Sequence, residues 1–179
     1  MGPVVDAHRG EVTQSRILLA AGGVVLVAAY AALMAVESLV LDPLAAVPGA
    51  TLEEIHAYLT AAGDDVPGDI AWVIATASIG VVLAAATAIV GVWRRLSLST
   101  LAIVFLAIVA AGAVPAFLDG FRLNMDIADT YGVSGGAHTV WAGVLYLTSL
   151  AAVGGIIGLA IYRSRRPGQS SLAIEGIDR

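Results

Sequence analysis

Residues 70–93 read IAWVIATASIGVVLAAATAIVGVW, twenty-four positions without a single charge. A helix needs about 20 such residues to cross the hydrocarbon core of a bilayer. The apolar character continues around the whole helix and is not confined to one stripe. That marks a membrane span and not an amphipathic surface helix. The polar side chains within the run, Thr76, Ser78 and Thr87, can bond back to their own helix backbone, as can Thr148 and Ser149 in the fourth apolar run.

Outward from this run the pattern repeats. Arg94-Arg95-Leu96-Ser97 follow, then a second apolar run from Leu98 to Leu118. So short a connection makes the two helices antiparallel neighbours. Two more runs, Ile17 to Leu41 and Thr139 to Tyr162, complete four predicted spans at 17–41, 70–93, 98–118 and 139–162. The first follows Arg16 and carries small residues around Ala32-Leu33-Met34-Ala35, as a signal peptide would. It is too long for a signal core, and three further spans come after it. Short alternating segments, the mark of a membrane β-barrel, are missing. The chain is 59% apolar and 13% charged, about half the charged fraction of a soluble domain. The predicted fold is an all-α integral membrane protein. It is a four-transmembrane-helix bundle over 17–163, with polar tails at 1–16 and 164–179.

Charge predicts the orientation. All nine basic residues are arginines. Arg9 and Arg16 precede the first span, Arg94 and Arg95 join the second to the third, and Arg163, Arg165 and Arg166 follow the fourth. The two remaining connections contain only Arg122. The positive-inside rule therefore predicts a multi-pass cell-membrane protein with both termini cytoplasmic. Trp72 and Trp141 would then mark the outer interface, and Trp93 and Tyr162 the inner one. The net charge of −5 comes largely from the outer loops. The basic inner face is a topology signal and does not point to nucleic acid. The chain has no cysteine, which excludes disulfides, thiolate chemistry and cysteine metal ligands.

The loops hold the remaining polar information. In the first, Asp42-Pro43 and Pro48-Gly49 read as turns. Thr51 with Glu54 reads as a capping box, and Gly63 as a helix stop. Leu52, Ile55 and Leu59 share one face of the segment between. This predicts a short amphipathic helix in the first extracytoplasmic loop, on the membrane surface or over the bundle mouth. Asp69 is the expected N-cap of the next span. The second outer loop, Asp119 to His138, is expected to contain a helical piece from Leu123 to Thr130. A flexible turn through Gly132 to Gly136 follows.

No charge interrupts the second, third or fourth span. That argues against ion-coupled carriers, which need a midplane carboxylate, and against membrane haem proteins, which need axial ligands. Glu37 is the one acid within a span, and Arg122 is the one outer cation apart from His56 and His138. Residues 115–122, PAFLDGFR, should kink at Pro115. They should then place Asp119 and Arg122 in a polar collar where the bundle meets water. Arg122 is expected to be held by Asp119 and Glu37. Glu37, Asp119, Arg122 and His138 thus form a ligand-binding or structural cluster. Glu53-x-x-His56 has metal-ligand spacing, with Asp126, Asp129 and His138 as possible company. A lone pair of this kind on a surface helix is usually solvated, so neither metal nor cofactor is expected. Ser134 and His138 could pair as nucleophile and base, though Ser-Gly-Gly before a helix is more often a cap. Gly154-x-x-x-Gly158 in the fourth span, and Gly80, Ala84 and Ala88 in the second, are small-residue stripes for close helix packing, expected within the bundle, with a contact to another subunit as the alternative.

No nucleotide motif or catalytic set stands out. The sequence is therefore read as a non-enzymatic accessory or scaffold subunit of a membrane complex, in a lipid bilayer with a membrane-protein partner or further copies of itself. The alternatives are an outer-leaflet enzyme or lipid- or ligand-binding protein with its site at the outer mouth, and an oligomeric transporter or channel.

Overall fold

The computed structural model describes residues 3–165. All regular structure among them is helical. Helix α1 (Pro3–Val36) runs through a π-helical turn (Glu37–Leu41) into α2 (Asp42–Ala46). There follow α3 (Leu52–Ala62), α4 (Val66–Trp93), α5 (Leu98–Ala111), α6 (Ala113–Tyr131) and α7 (Trp141–Ser164). Four stretches are long and apolar enough to cross a membrane: Thr13–Ala46, Val66–Trp93, Leu98–Tyr131 and Trp141–Ser164. The first helix starts ahead of Ile17, at Pro3. The C-terminal tail beyond Arg165 lies outside the described residues.

Helix α1 is the hub, packing on α4 and α5, while α5 packs on α7. The core between them is built from Val27, Tyr30 and Met34 of α1, Ala84 of α4, Phe105 and Val109 of α5, and Leu145 of α7. Small residues permit the close approaches. A Cβ at Gly23 would run into the Phe105 ring, and one at Gly91 would meet Leu101 at 2.6 Å. Gly80 and Ala84 face inward, with Val27 of α1 next to Gly80. Gly154 and Gly158 do not: both are exposed with open space around them. Their neighbour Gly155 takes the inward place, against Leu106. Most other outward positions are large apolar side chains such as Leu83, Ile89 and Leu147, a surface that suits lipid and not water.

Deep in the bundle the Tyr30 hydroxyl lies 2.9 Å from Ser149 Oγ, which donates to the Val109 carbonyl at 3.0 Å. This ties α1, α5 and α7 together across the core. Ser149 thus bonds across helices, whereas Ser78 and Thr148 bond back to Ile74 and Val144 of their own helices.

The two ends of the bundle differ in kind. At the arginine end, Ser97 caps α5 by accepting the Thr100 N–H. Arg16 donates to the Leu96 carbonyl, and Arg163 reaches Ser97 and Thr100. These contacts are on or near the surface. At the acidic end a second core forms from Ala46, Ile55, Leu59, Val66, Leu123 and Ile127. Helix α3 docks there against α6 by its Ile55 and Leu59 face. Its capping box is complete, with Thr51 donating through both its backbone N–H and its hydroxyl to Glu54. Those two bonds, the backbone one foremost, hold the Glu54 carboxyl below the usual carboxylate range.

Candidate functional site

The segment PAFLDGFR lies inside a helix and not at the mouth of a loop. Proline at 115 has no N–H for the Ala111 carbonyl and its ring crowds that position. The break falls there, with α5 ending at Ala111 and α6 starting at Ala113. From Ala113 the helix continues for 19 residues to Tyr131, where Gly132, at φ 68°, stops it in the left-handed conformation. Most of the expected loop from Asp119 onward is therefore helical. Leu123 and Ile127, both buried and one helical turn apart, carry the signal for it in the sequence.

Helix α6 has polar groups on two faces. On one, Asp119 is 1% exposed. Its Oδ2 accepts the Thr76 hydroxyl at 2.8 Å, and the Trp72 indole is a second neighbour from α4. Its Oδ1 is buried without a hydrogen-bond partner. One turn on, Arg122 donates to Asp69 Oδ1 at 2.7 Å and lies 5.8 Å over the Trp72 ring. Asp69 is buried inside α4, which starts at Val66, and does not cap it; Asp65 does, accepting the Gly68 N–H. Asp126 stands against Asp69, with Asp64 nearby. The expected pairing of Arg122 with Glu37 is therefore replaced by a pairing with Asp69. Glu37 is on another helix face and has found other partners.

The second face of α6 fronts a cleft of about 140 Å³. Its polar lining is Glu37, Ser38, Asp42 and Asn124, all buried. Phe117, Phe121 and Tyr146 supply the aromatic side, with Phe117 and Phe121 stacked at 5.8 Å between centroids. The π-helical turn is what builds the acidic wall. The Asp42 N–H bonds to the Glu37 carbonyl, the i→i+5 pattern that widens the helix and recurs at functional sites. In an α-helix these two positions are well apart around the axis; widening draws them to one side. Pro43, the next residue, has no N–H for a regular i→i−4 bond to Leu39. Asp42-Pro43, expected to be a turn, instead sits in continuous helix because the widened turn accommodates the ring.

Each acid on this wall has defined company. Asp42 Oδ1 accepts the backbone N–H of His138, and Oδ2 lies 3.4 Å from its Nδ1. Glu37 Oε1 accepts the Thr139 hydroxyl at 2.7 Å, and the Ala142 N–H in the first turn of α7 also faces this carboxyl. A helix N-terminus favours negative charge there. Glu37 Oε2 is buried and has no hydrogen-bond partner. The structure thus sets Glu37 in the cleft wall and ties His138 to Asp42 of the same wall, while Asp119 and Arg122 lie on the other side of α6. Glu53 is exposed and His56 half-buried on α3. Among the described residues no three His, Asp or Glu side chains converge as a metal site would require. Asp42, part of the cleft wall, was missed in the sequence because the widened turn that aims it inward leaves no residue-level signature beyond Pro43.

No protein-family model, curated protein or solved structure matches this chain.

Proposed function

We propose that this is a multi-pass protein of the cell membrane, with both termini cytoplasmic, whose outward acidic cleft binds the ammonium group of a small ligand. The observation that carries the reading is Glu37 Oε2, a buried carboxylate oxygen with no partner, in the wall of a cleft of about 140 Å³. A buried polar atom left unpaired costs about 1–3 kcal/mol, more if charged, and a cation in the cleft would relieve it. An engineered cavity of about 150 Å³ holds one benzene-sized molecule, so a head group fits and a drug-sized ligand does not. The chemistry favours an organic cation over a bare metal ion. A metal wants a shell of oxygens, whereas Phe117, Phe121 and Tyr146 offer ring faces and edges that suit an alkylammonium. The arginine distribution supports the orientation. Single cysteines placed at Asp64 and Ser97 test that half of the reading. An impermeant thiol reagent on intact cells should label the first and spare the second; the reverse would overturn it.

The ligand test uses the purified chain in nanodiscs. Tetramethylammonium, free ethanolamine and phosphatidylethanolamine are titrated against melting temperature. Saturation at 100 times Kd should stabilise by about 2.7 kcal/mol. Response to free amines identifies a soluble ligand, and response only to the lipid identifies a head group. Glu37→Gln should remove either response. A wild-type protein indifferent to all three would sink the reading. In that case a stably co-purifying subunit would favour the accessory-subunit reading. That reading has its own support in the unfilled glycines of α7, at Gly143, Gly154 and Gly158, where a partner helix could approach closely.

A further inference from the structure

The mouth of the cleft carries a second chemistry. Ser134 Oγ lies 3.2 Å from His138 Nε2, and His138 Nδ1 lies 3.4 Å from Asp42 Oδ2. Asp42 also accepts the His138 backbone N–H, so both the ring and its backbone are clamped. Asp42 is buried and Ser134 is exposed. An ionised carboxylate only accepts hydrogen bonds. With Asp42 ionised and the ring neutral, Nδ1–H faces Asp42 and Nε2 is left to accept from the serine hydroxyl. Nucleophile, base and orienting acid stand in the order that acyl transfer uses. Loose distances are usual in a site without substrate.

The turn around the serine fits the same use. Residues 132–136 are Gly-Val-Ser-Gly-Gly, with a glycine two residues to either side of the serine. That spacing allows a tight turn to expose a nucleophile, there between strand and helix and here between α6 and α7. Gly132 is left-handed at φ 68°. A Cβ at Gly135 would meet Met125 Sδ at 2.9 Å, so the turn is packed closely against α6. The N–H groups of Gly135 and Gly136 have no acceptor among the described residues. The N–H directly after a nucleophile is a recurrent oxyanion donor. Both glycines also line the cleft.

We propose that Ser134 is a nucleophile that hydrolyses carboxylic esters at the mouth of this cleft, with His138 as general base and Asp42 as positioning residue. Ser134 Oγ attacks the ester carbonyl carbon as its proton passes to His138 Nε2. The tetrahedral oxyanion collapses, the C–O bond to the alcohol breaks, and His138 returns the proton to the departing alkoxide. Water then attacks the acyl-serine, giving its proton to His138. The carboxylic acid leaves and the serine regains its proton, with no net redox change. The small cleft beside Phe117 and Phe121 suits a short acyl group. This activity rests on the turn and on Asp42, and stands whether or not Glu37 holds an ammonium group.

The test treats the full chain in nanodiscs with a fluorophosphonate probe and, separately, with p-nitrophenyl acetate. The probe should attach at Ser134, located by peptide mass spectrometry, and Ser134→Ala should abolish both labelling and ester turnover above background. Ser134 is exposed, so this variant should keep its melting temperature. His138→Gln should lower the labelling rate about 100-fold or more. Asp42→Asn should lower it by a comparable or larger factor. Its residual rate should climb with hydroxide concentration, because the misoriented ring no longer takes the serine proton. A purely structural Asp42 would not produce that pH dependence. Folded wild-type protein that leaves Ser134 unmodified, or hydrolyses the ester no faster than Ser134→Ala, would overturn the proposal. So would labelling of Ser134 at an unchanged rate in His138→Gln.

Discussion

Helix α6 divides two groups of buried acids that differ in what stands beside them. Toward α4, Asp119 and Asp69 stand with Arg122, whose guanidinium reaches Asp69 at 2.7 Å, and none of the three lines the cleft. Toward α7, Glu37 and Asp42 have a cleft of about 140 Å³ and no arginine. Both groups hold a carboxylate oxygen with no hydrogen-bond partner, Asp119 Oδ1 and Glu37 Oε2. In the first the counter-charge is part of the chain; in the second there is room for it to come from outside. Buried charge is tolerated only when something compensates it. The difference between the two faces is thus a difference between a structural device and a site that can be filled.

The comparison can be broken most forcefully on the α4 side. Arg122→Ala leaves Asp69 buried beside Asp126 and without its cation. Removing one partner costs about 3–5 kcal/mol for a fully buried pair and about 0–1 for an exposed one. Arg122 is 55% exposed and Asp69 7%, so a loss of about 2 kcal/mol is expected. The double change Arg122→Ala with Asp69→Asn should recover part of it, since the carboxylate that Arg122 touches is then neutral while Asp119 stays buried. Added tetramethylammonium should restore nothing, because none of Asp69, Asp119 and Arg122 lines the acidic cleft. Thermal unfolding in detergent reads all three. Small and additive effects would mean that the two faces of α6 are equivalent and that the ion pair holds nothing.

These two faces were unequally legible in the sequence. The spans were plain, because four runs of about 20 apolar residues have few alternatives in water or lipid. The capping box at Thr51 and Glu54 was equally plain, since its residue types and spacing determine its bonds. Glu37 stood out as the only acid in a span. Its partners did not, because they depend on which way each helix is rotated. Arg122 was the lone cation at its end, but choosing Asp69 over Glu37 requires knowing that α6 continues past Asp119 as helix. The π-helical turn was hidden altogether. It moves Asp42 by a fraction of a turn and so brings it to His138, 96 positions away in sequence. Likewise the stripe at Gly80 and Ala84 and the one at Gly154 and Gly158 look alike as spacing. Only the packing shows that one faces the core and the other the outside.

On the α7 side the expected effect is smaller and, unlike the first, should depend on what is in solution. Thr139 donates to Glu37 Oε1 at 2.7 Å, half-buried, while Oε2 has no partner. Thr139→Val keeps the side-chain shape and deletes that donor. A hydrogen bond to a charged group is worth about 1.5–3 kcal/mol. The Ala142 N–H still faces the carboxyl, and the cleft lets water approach. The net loss should therefore fall near the bottom of that range, about 1.5 kcal/mol. Tetramethylammonium should then stabilise the variant by at least as much as it stabilises the wild type, because the carboxylate it meets has one competitor fewer. Melting curves of both proteins with and without the cation decide the matter. If the cation rescues Thr139→Val and leaves Arg122→Ala untouched, the two faces of α6 differ as described. If it rescues neither, the cleft is not a cation site.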